Sequence, residues 1–459
     1  MRTLFRILLF AAVAATGISC SAVRGCKAPE LALPERFAGE ADDSLTLADM
    51  QWWHFYGDST LCAIIRRTLD NNRGMLAAAA RVERMRALYR EAKADRLPNL
   101  TLNALADYET NDYSGESAVR DPQFDLKATL GWEADLWGRL RWAKRKGAAE
   151  YRATVEEERA MRMTLVAEAA SAYFRLMALD NELAIVRQTL STRREGVEQA
   201  RLRFEGGLTS ETVYQQAKVE YASTASLVPD LERRIEVTEN GLALLMGEYS
   251  DATVVRSRIE TEHRLTDSLP VGVPSTLLQR RPDVRASEER LRAAMAAAGV
   301  AYADRFPRLV LSLTGGWEND ELQGFFRSPF SYVAASVAAP IFGFGRKKAR
   351  YEAAVAAYDE ARLNYEQKVL EVFRETDDAL VTYRKARRTA EAKGYLCDAA
   401  RKYVSLAHIQ YRAGSIAYLD VLDAQRRYFD AQIGVSNATR DEYLALVALY
   451  KALGGGWQR

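Results

Sequence analysis

Few side chains in this chain have the types and spacing that chemistry requires. Its 459 residues include only three histidines and four cysteines, and no two cysteines form a CxxC pair. A zinc or iron–sulfur site and a disulfide-built scaffold are therefore not expected. The histidines and cysteines of the chain are His54, His263, His408, Cys20, Cys26, Cys62 and Cys397. No Ser/His/Asp or Cys/His set has supporting context, so we predict no catalytic residues, no metal, no cofactor and no enzyme activity.

One cysteine near the N-terminus does have a chemical context. Arg2 and Arg6 flank an apolar run over residues 7–15, which is too short to span a bilayer core that needs about 20 residues. This pattern predicts a signal peptide over residues 1–19. The small residue before Cys20 is similar to a bacterial lipoprotein signal, in which that cysteine carries the lipid. Cys26 is the competing lipidation site, and secretion with unmodified thiols is the remaining alternative.

Composition narrows the class of protein. The chain has 64 Lys+Arg against 62 Asp+Glu and a formal net charge of +2, which does not suggest a protein that binds nucleic acid by neutralising phosphates. A hydrophobic content of 48% excludes an intrinsically disordered chain. With few prolines and much Ala, Arg, Glu and Leu, it is typical of long helices. No segment reaches 18 consecutive apolar residues, so we expect no transmembrane helix. Transmembrane strands are not excluded, because they require only alternating apolar residues.

The chain repeats itself. Residues 94–102 recur at 303–311 with a shift of 209, and from residue 137 onward the shift is 207. A constant shift over more than a hundred residues indicates a duplicated architecture. We predict an N-terminal extended segment over 20–60, a first repeat over 61–270 and a second repeat over 271–459.

Both repeats have the same order of elements. A helix, over 61–93 and again over 275–303, is followed by two strands, over 99–108 and 123–136 and again over 309–317 and 329–341. A very long helix then runs to a break at Gly207 or Gly414, and a second helix returns over 210–246 or 416–453. The long helices extend to residue 203 in the first repeat and over 346–412 in the second. About 65 helical residues correspond to a rod of ~100 Å.

The periodicity of these segments predicts their faces. Even positions of 123–136 are apolar and odd positions are polar or small, which is the alternation of a strand with one buried face. The sidedness of 329–341 is unclear, because both of its faces are small and apolar. Along the first long helix, a heptad stripe from Leu165 to Leu190 has a second apolar stripe beside it. Two stripes predict two neighbouring helices, as in a closed ring.

Four strands cannot close a membrane barrel, for which eight is the usual minimum. An open sheet in lipid would leave edge groups unsatisfied, so several chains would have to combine. Three chains would provide twelve strands and twelve long helices.

Several sequence blocks identify a family. The chain resembles the TolC-like outer-membrane factors, in the NodT-type lipoprotein branch, over nearly its whole mature length. The matching blocks lie at 52–58, 135–139, 278–286, 306–307, 340–346 and 411–426. The resemblance implies a mainly α fold with a small β part: a long α-helical coiled-coil barrel plus four transmembrane strands per chain, which complete a twelve-strand barrel in a homotrimer.

The resemblance also implies a function. Such proteins are outer-membrane channels of tripartite multidrug efflux or export systems, which dock with a periplasmic adaptor (membrane fusion) protein and an inner-membrane pump. In the lipoprotein branch the mature N-terminus carries lipid, including palmitate, in the outer membrane. The family's adaptor-docking tips correspond here to Phe204, Gly207, Leu208, Tyr411, Gly414 and Ser415. The alternative is a secreted coiled-coil scaffold or adaptor without a channel.

A candidate gate lies just beyond the second tip. Leu419 and Asp423 are four residues apart and share one helix face. Around a threefold axis they would form an apolar plug and a cation-attracting carboxylate ring, with Asp420 beside them. Ordinary solvated carboxylates are the alternative. Arg412, Arg426 and Arg427 are the nearby candidates to balance this charge.

Two other features have competing interpretations. The segment Arg281-Pro282-Asp283 is typical of a helix N-terminus with proline in the first turn rather than of an anion site. Trp132, Trp137 and Trp317 lie near strand ends, where we interpret them as part of an interfacial aromatic girdle rather than as core residues.

Overall fold

The computed structural model describes residues 26, 29, 31, 47–111, 119–250, 256, 274–339 and 342–458. Two compact units can be distinguished. The first comprises Met1–Leu31, Ala80–Glu156 and Arg285–Lys368, and the second comprises Ala32–Ala79, Glu157–Val284 and Val369–Arg459. Each unit therefore draws on both halves of the sequence. The candidate lipidation residue Cys20 lies outside the described residues.

The described chain is mainly helical with one small antiparallel sheet, which confirms the predicted fold class at this level. The helices of the first half are α1 (Trp52–Tyr56), α2 (Ser59–Asn71), α3 (Arg73–Ala94), α4 (Arg139–Glu205), α5 (Glu211–Ala225) and α6 (Leu227–Leu245). Those of the second half are α7 (Pro274–Arg280), α8 (Pro282–Ala303), α9 (Arg346–Arg412) and α10 (Tyr418–Ala452). None of the helices in these ranges combines the length and apolar character needed to cross a bilayer.

Three predicted helices are each divided in two. The helix predicted over 61–93 breaks at Asn72, whose side chain accepts a hydrogen bond from the Met75 amide at 3.1 Å and so begins α3. The return helix predicted over 210–246 breaks at Ser226, so Pro229 lies in the first turn of α6. Backbone N–H groups in a first turn have no partner within the helix, so the N–H that proline lacks costs no hydrogen bond there. The helix predicted over 275–303 breaks at Arg281. The N-terminal segment predicted as extended contains the short 3-10 helix Leu47–Asp49 and α1 in its described part.

The sheet lies wholly in the first unit and has the order β1–β2–β3–β4. Its strands are β1 (Asn99–Asn111), β2 (Val119–Ala134), β3 (Arg308–Asn319) and β4 (Pro329–Ala338). All neighbours pair antiparallel, and β2 of the first half pairs with β3 of the second. The second strand is expected over 123–136, but β2 ends at Ala134. It ends two residues before the predicted end because Asp135 leaves the strand to cap α4. Its carboxylate accepts hydrogen bonds from the Leu140 and Arg141 amides at 3.0 and 2.9 Å.

The register determines which residues share each face of the sheet. Leu102 is paired with Ala128, Leu130 with Leu313, and Leu313 with Val333. Paired residues lie on the same face, so one face is apolar across all four strands. It carries Leu100, Leu102, Leu126, Leu130, Trp132, Leu309, Leu311, Leu313, Trp317, Val333 and Val337. This settles the sidedness of β4, which its own sequence leaves open.

The core of the second unit follows the predicted helical stripes. In α4 the stripe from Leu165 to Val186 and the adjacent stripe through Val166 and Tyr173 are both mostly buried. Tyr173 is fully buried, and its hydroxyl donates to the Asp58 carboxylate at 2.8 Å. Two buried stripes on one helix confirm that α4 packs against more than one neighbour.

Candidate functional site

Both long helices of the chain end in the same hairpin turn. After α4, the amide of Gly207 donates to the Phe204 carbonyl at 2.9 Å and that of Leu208 donates to the Arg203 carbonyl at 2.8 Å. After α9, Gly414 and Ser415 make the same two bonds to Tyr411 and Gln410, at 2.9 and 3.0 Å. This paired arrangement is the Schellman C-cap.

Glycine is required in both turns by backbone conformation. Gly207 and Gly414 have φ values of 72° and 75°, which L side chains rarely adopt. A Cβ added at either position would meet no atom within 4 Å. Even a Cβ at these positions therefore strains the turn, although it meets no neighbouring atom.

The two hairpin tips lie side by side within the second unit. The guanidinium of Arg203 lies 5.5 Å from the centre of the Tyr411 ring. Phe204 stacks on Tyr214 at 6.1 Å in the first tip, and Tyr411 packs on Tyr418 at 5.5 Å in the second. Leu208, by contrast, is 72% exposed. The aromatic residues thus hold the hairpins closed, while Leu208 is a large apolar side chain available at the tip.

The three candidate gate residues have different surroundings at the start of α10. Leu419 is 53% exposed. The Asp420 carboxylate accepts a hydrogen bond from the Ala417 amide at 2.9 Å, so it caps its own helix. Asp423 forms ion pairs with both Arg426 and Arg427, each at 2.7 Å.

The ion pairs favour the ionised form of Asp423. Its pKa is lowered below the ordinary carboxyl value, chiefly by the hydrogen bond from Arg427 and further by Arg426, and desolvation opposes this shift. Of the three candidate arginines, Arg426 and Arg427 reach Asp423, whereas Arg412 donates to the His408 carbonyl at 3.4 Å. Arg426 and Arg427 follow Asp423 by three and four residues on α10, the spacing at which helical side chains meet, and this spacing was a signal in the sequence that could have identified them.

Two of the three tryptophans considered for the girdle lie at opposite ends of the apolar face. Trp132 is 41% exposed, two residues before β2 ends, and Trp317 lies two residues before the end of the antiparallel β3. Trp132 pairs with Leu311, six residues from Trp317, which corresponds to roughly 20 Å along the strand. Trp137 follows β2, donates to the Pro307 carbonyl at 2.8 Å and stacks on Phe306 at 4.8 Å.

The opposite face of the sheet is polar on β2 and β3 and also carries Phe330 and Tyr332 of β4. Lys127 forms ion pairs with Asp125 at 2.5 Å and with Glu318 at 3.6 Å. Thr129 and Thr314 share a hydrogen bond of 3.0 Å between their hydroxyls. The two faces of the sheet therefore differ: one is apolar, and the other carries charged and hydroxyl side chains on its two central strands.

Arg281 has a role that its sequence context did not reveal. Pro282 begins α8, as the predicted helix N-terminus requires. Arg281 itself is only 3% exposed and binds Asp283, Glu375 and the Ala452 carbonyl. Two of these partners lie far along the chain, so no local pattern could have indicated them.

Comparisons with known proteins agree with this geometry. The family model described as "Outer membrane efflux protein" matches residues 64–248 and 273–455. The solvent efflux pump outer membrane protein SrpC of Pseudomonas putida is 32% identical over 431 residues, which cover 92% of this chain and 91% of that protein. The probable outer membrane lipoprotein SilC of Salmonella typhimurium is 28% identical over 437 residues, 94% of each. The solved structure of the outer-membrane channel OprN superposes with a TM-score of 0.85 at 30% identity, covering 95% of this chain and 100% of that one.

Proposed function

The chain belongs to the outer membrane efflux protein family, and we propose that three copies of it assemble into one channel. As a member it is a channel subunit of a tripartite efflux system, located in the outer membrane and extending into the periplasm. The family is one of channels, not of enzymes.

One observation carries the trimer proposal: the sheet has a continuous apolar face and two outer strands without a neighbour among the described residues. In lipid, the unpaired N–H and C=O groups of β1 and β4 must be satisfied, and closing the sheet with further copies does so. Three copies give twelve strands, with β1 of each copy beside β4 of the next. The apolar face then contacts lipid, the Lys127 face lines the lumen, and the helices form the periplasmic tunnel.

The hairpin tips support a docking role. Leu208 is exposed, and the two tips are held next to each other by the contact between Arg203 and Tyr411. We propose that the tips bind a periplasmic adaptor, which couples the channel to an inner-membrane pump. We further propose that Leu419 and Asp423 narrow the periplasmic mouth, and that Cys20 is lipidated.

Neighbouring residues on β1 provide a test of the membrane assignment. Leu102 is on the apolar face and 71% exposed, whereas Thr101 is on the polar face. A Leu102→Arg variant should lose outer-membrane assembly, because arginine near the bilayer midplane costs about 2–4 kcal/mol per copy. The matched Thr101→Arg variant should assemble normally.

The measurement is membrane fractionation followed by gel electrophoresis of unheated protein. A trimer in the outer-membrane fraction supports the channel. A wild-type monomer in the soluble periplasmic fraction would instead favour a secreted scaffold or adaptor. Equal assembly of the two variants would contradict the assignment of the faces.

A further inference from the structure

A basic pocket lies in the first unit, where β1 and α4 begin. A cavity of about 260 Å³ is lined by Arg96, Arg141, Lys144, Arg145 and Ala148. Arg96 precedes β1, and the other residues follow one another along the first turns of α4. Four cations thus surround one small cavity.

Little negative charge balances these cations. Arg141 reaches the Asp135 carboxylate at 3.4 Å, and both oxygens of that carboxylate also cap α4. Arg145 lies over the Trp142 ring at 4.6 Å. Within the described part of the chain, neither Arg96 nor Lys144 forms an ion pair. The pocket is therefore a region of positive potential that favours an anion.

The second repeat provides an internal comparison. The positions that correspond to Arg96, Arg141, Lys144 and Arg145 are Arg305, Lys348, Tyr351 and Glu352. Arg305 lies over the Tyr302 and Tyr351 rings at 5.8 and 5.6 Å, and Lys348 pairs with Glu352 at 3.6 Å. The same strand-to-helix junction is thus built there with its charges satisfied. Four cations are not a structural requirement of this junction.

The pocket adjoins the end of the apolar face. The indole N–H of Trp132 donates to the Arg96 carbonyl at 3.2 Å. Tryptophan with an apolar body and a bonded N–H is typical of the membrane–water interface. This step rests on the proposed function, which places the apolar face in the outer membrane. The cations then lie at the depth of lipid headgroups in the periplasmic leaflet.

We propose that the pocket binds the phosphate of an anionic phospholipid of that leaflet. The phosphodiester oxygens accept hydrogen bonds from the guanidinium and ammonium groups, and the acyl chains lie along the apolar face beyond Trp132. A net-anionic headgroup is preferred over a zwitterionic one, because the amine of a zwitterionic lipid is repelled by the four cations.

The test compares matched double variants of the purified, detergent-solubilised trimer. Native mass spectrometry measures retention of phosphatidylglycerol and of phosphatidylethanolamine. Wild type should retain phosphatidylglycerol preferentially, up to one molecule per subunit. The Arg96→Gln/Lys144→Gln variant should bind it roughly tenfold to thirtyfold more weakly. The Arg305→Gln/Lys348→Gln variant removes the same charge at the corresponding positions and should bind as wild type does.

Three other outcomes overturn the proposal. Equal weakening in both variants would indicate a general charge effect and no site. Inorganic phosphate that binds without retention of phosphatidylglycerol would identify a free-phosphate site instead. An outer-membrane trimer without lipid preference would refute lipid binding by the pocket and leave the channel proposal intact. Failure of the channel proposal would instead be seen in the fractionation experiment, as absence of that trimer. If the double variant does not assemble, Lys144→Gln alone is compared with Lys348→Gln.

Discussion

Replacing Arg281 by alanine should destabilise the second unit strongly. The buried guanidinium donates to both oxygens of Asp283, at 3.0 and 2.8 Å, and to the Ala452 carbonyl at 3.1 Å. It also pairs with Glu375 at 2.7 Å. One side chain therefore connects the junction of α7 and α8 with α9 and with the end of α10.

The magnitude follows from the burial of each partner. Removing one member of a buried ion pair costs about 3–5 kcal/mol. Glu375 is 43% exposed and Asp283 is 22% exposed, so water replaces part of the loss and the lower end of this range applies. We therefore expect a loss of about 3 kcal/mol, or roughly 6 °C in the midpoint of thermal unfolding.

The adjacent residue is a matched control. Arg280 pairs with Asp49 at 3.0 Å, but the two side chains are 27% and 46% exposed. Arg280→Ala should therefore cost less than about 1 kcal/mol. Arg281→Lys should be intermediate, because lysine keeps the charge but not the two-pronged geometry.

The assay is thermal unfolding of the purified protein in detergent, followed by circular dichroism at 222 nm. Equal midpoints for Arg281→Ala and Arg280→Ala would refute the view that burial makes Arg281 important. Greater stability of Arg281→Ala than of Arg281→Lys would refute the importance of its charge.

Four further predictions concern the anchor, the tips and the mouth. Cys20→Ser should abolish incorporation of radioactive palmitate while Cys26→Ser should not, and the reverse pattern would move the mature N-terminus. Gly414→Trp should strain the second hairpin by about 1 kcal/mol or more and abolish drug resistance with the trimer still assembled; resistance at wild-type level would contradict adaptor docking. Alanine at both Leu419 and Asp423 should raise planar-bilayer conductance and weaken block by divalent cations, and unchanged values would place the constriction elsewhere. The pKa of Asp423 is lowered, so Asp423 stays ionised and paired at any pH above the ordinary carboxyl pKa, and its ion pairs are lost only when the pH falls below that pKa. Cation block of the wild-type channel should therefore be similar at about pH 7 and pH 5.

Local periodicity accounts for most of the fold that could be predicted. The sequence predicts the second long helix over 346–412, and α9 has these bounds. The heptad stripe from Leu165 to Val186 is mostly buried, because a side chain's position around a helix depends only on its place in the sequence. The breaks at Asn72 and Ser226 were missed, since capping and a proline in the first turn interrupt a helix without changing its apolar pattern.

The sequence alone determined the duplicated order of elements, the family resemblance and the position of both hairpin turns at Gly207 and Gly414. Each of these features depends on residues close together in the sequence or on direct sequence identity between segments. The tertiary structure decided which face of β4 is apolar, which arginines pair with Asp423, what Arg281 binds, and that Arg96 meets the basic turns of α4. Strand register and most of these partners join residues far apart in the chain, and even between near neighbours such as Asp423 and its arginines, side-chain direction selects the pair. No local pattern encodes the contacts between distant residues, because they form only when separate segments of the chain are packed together.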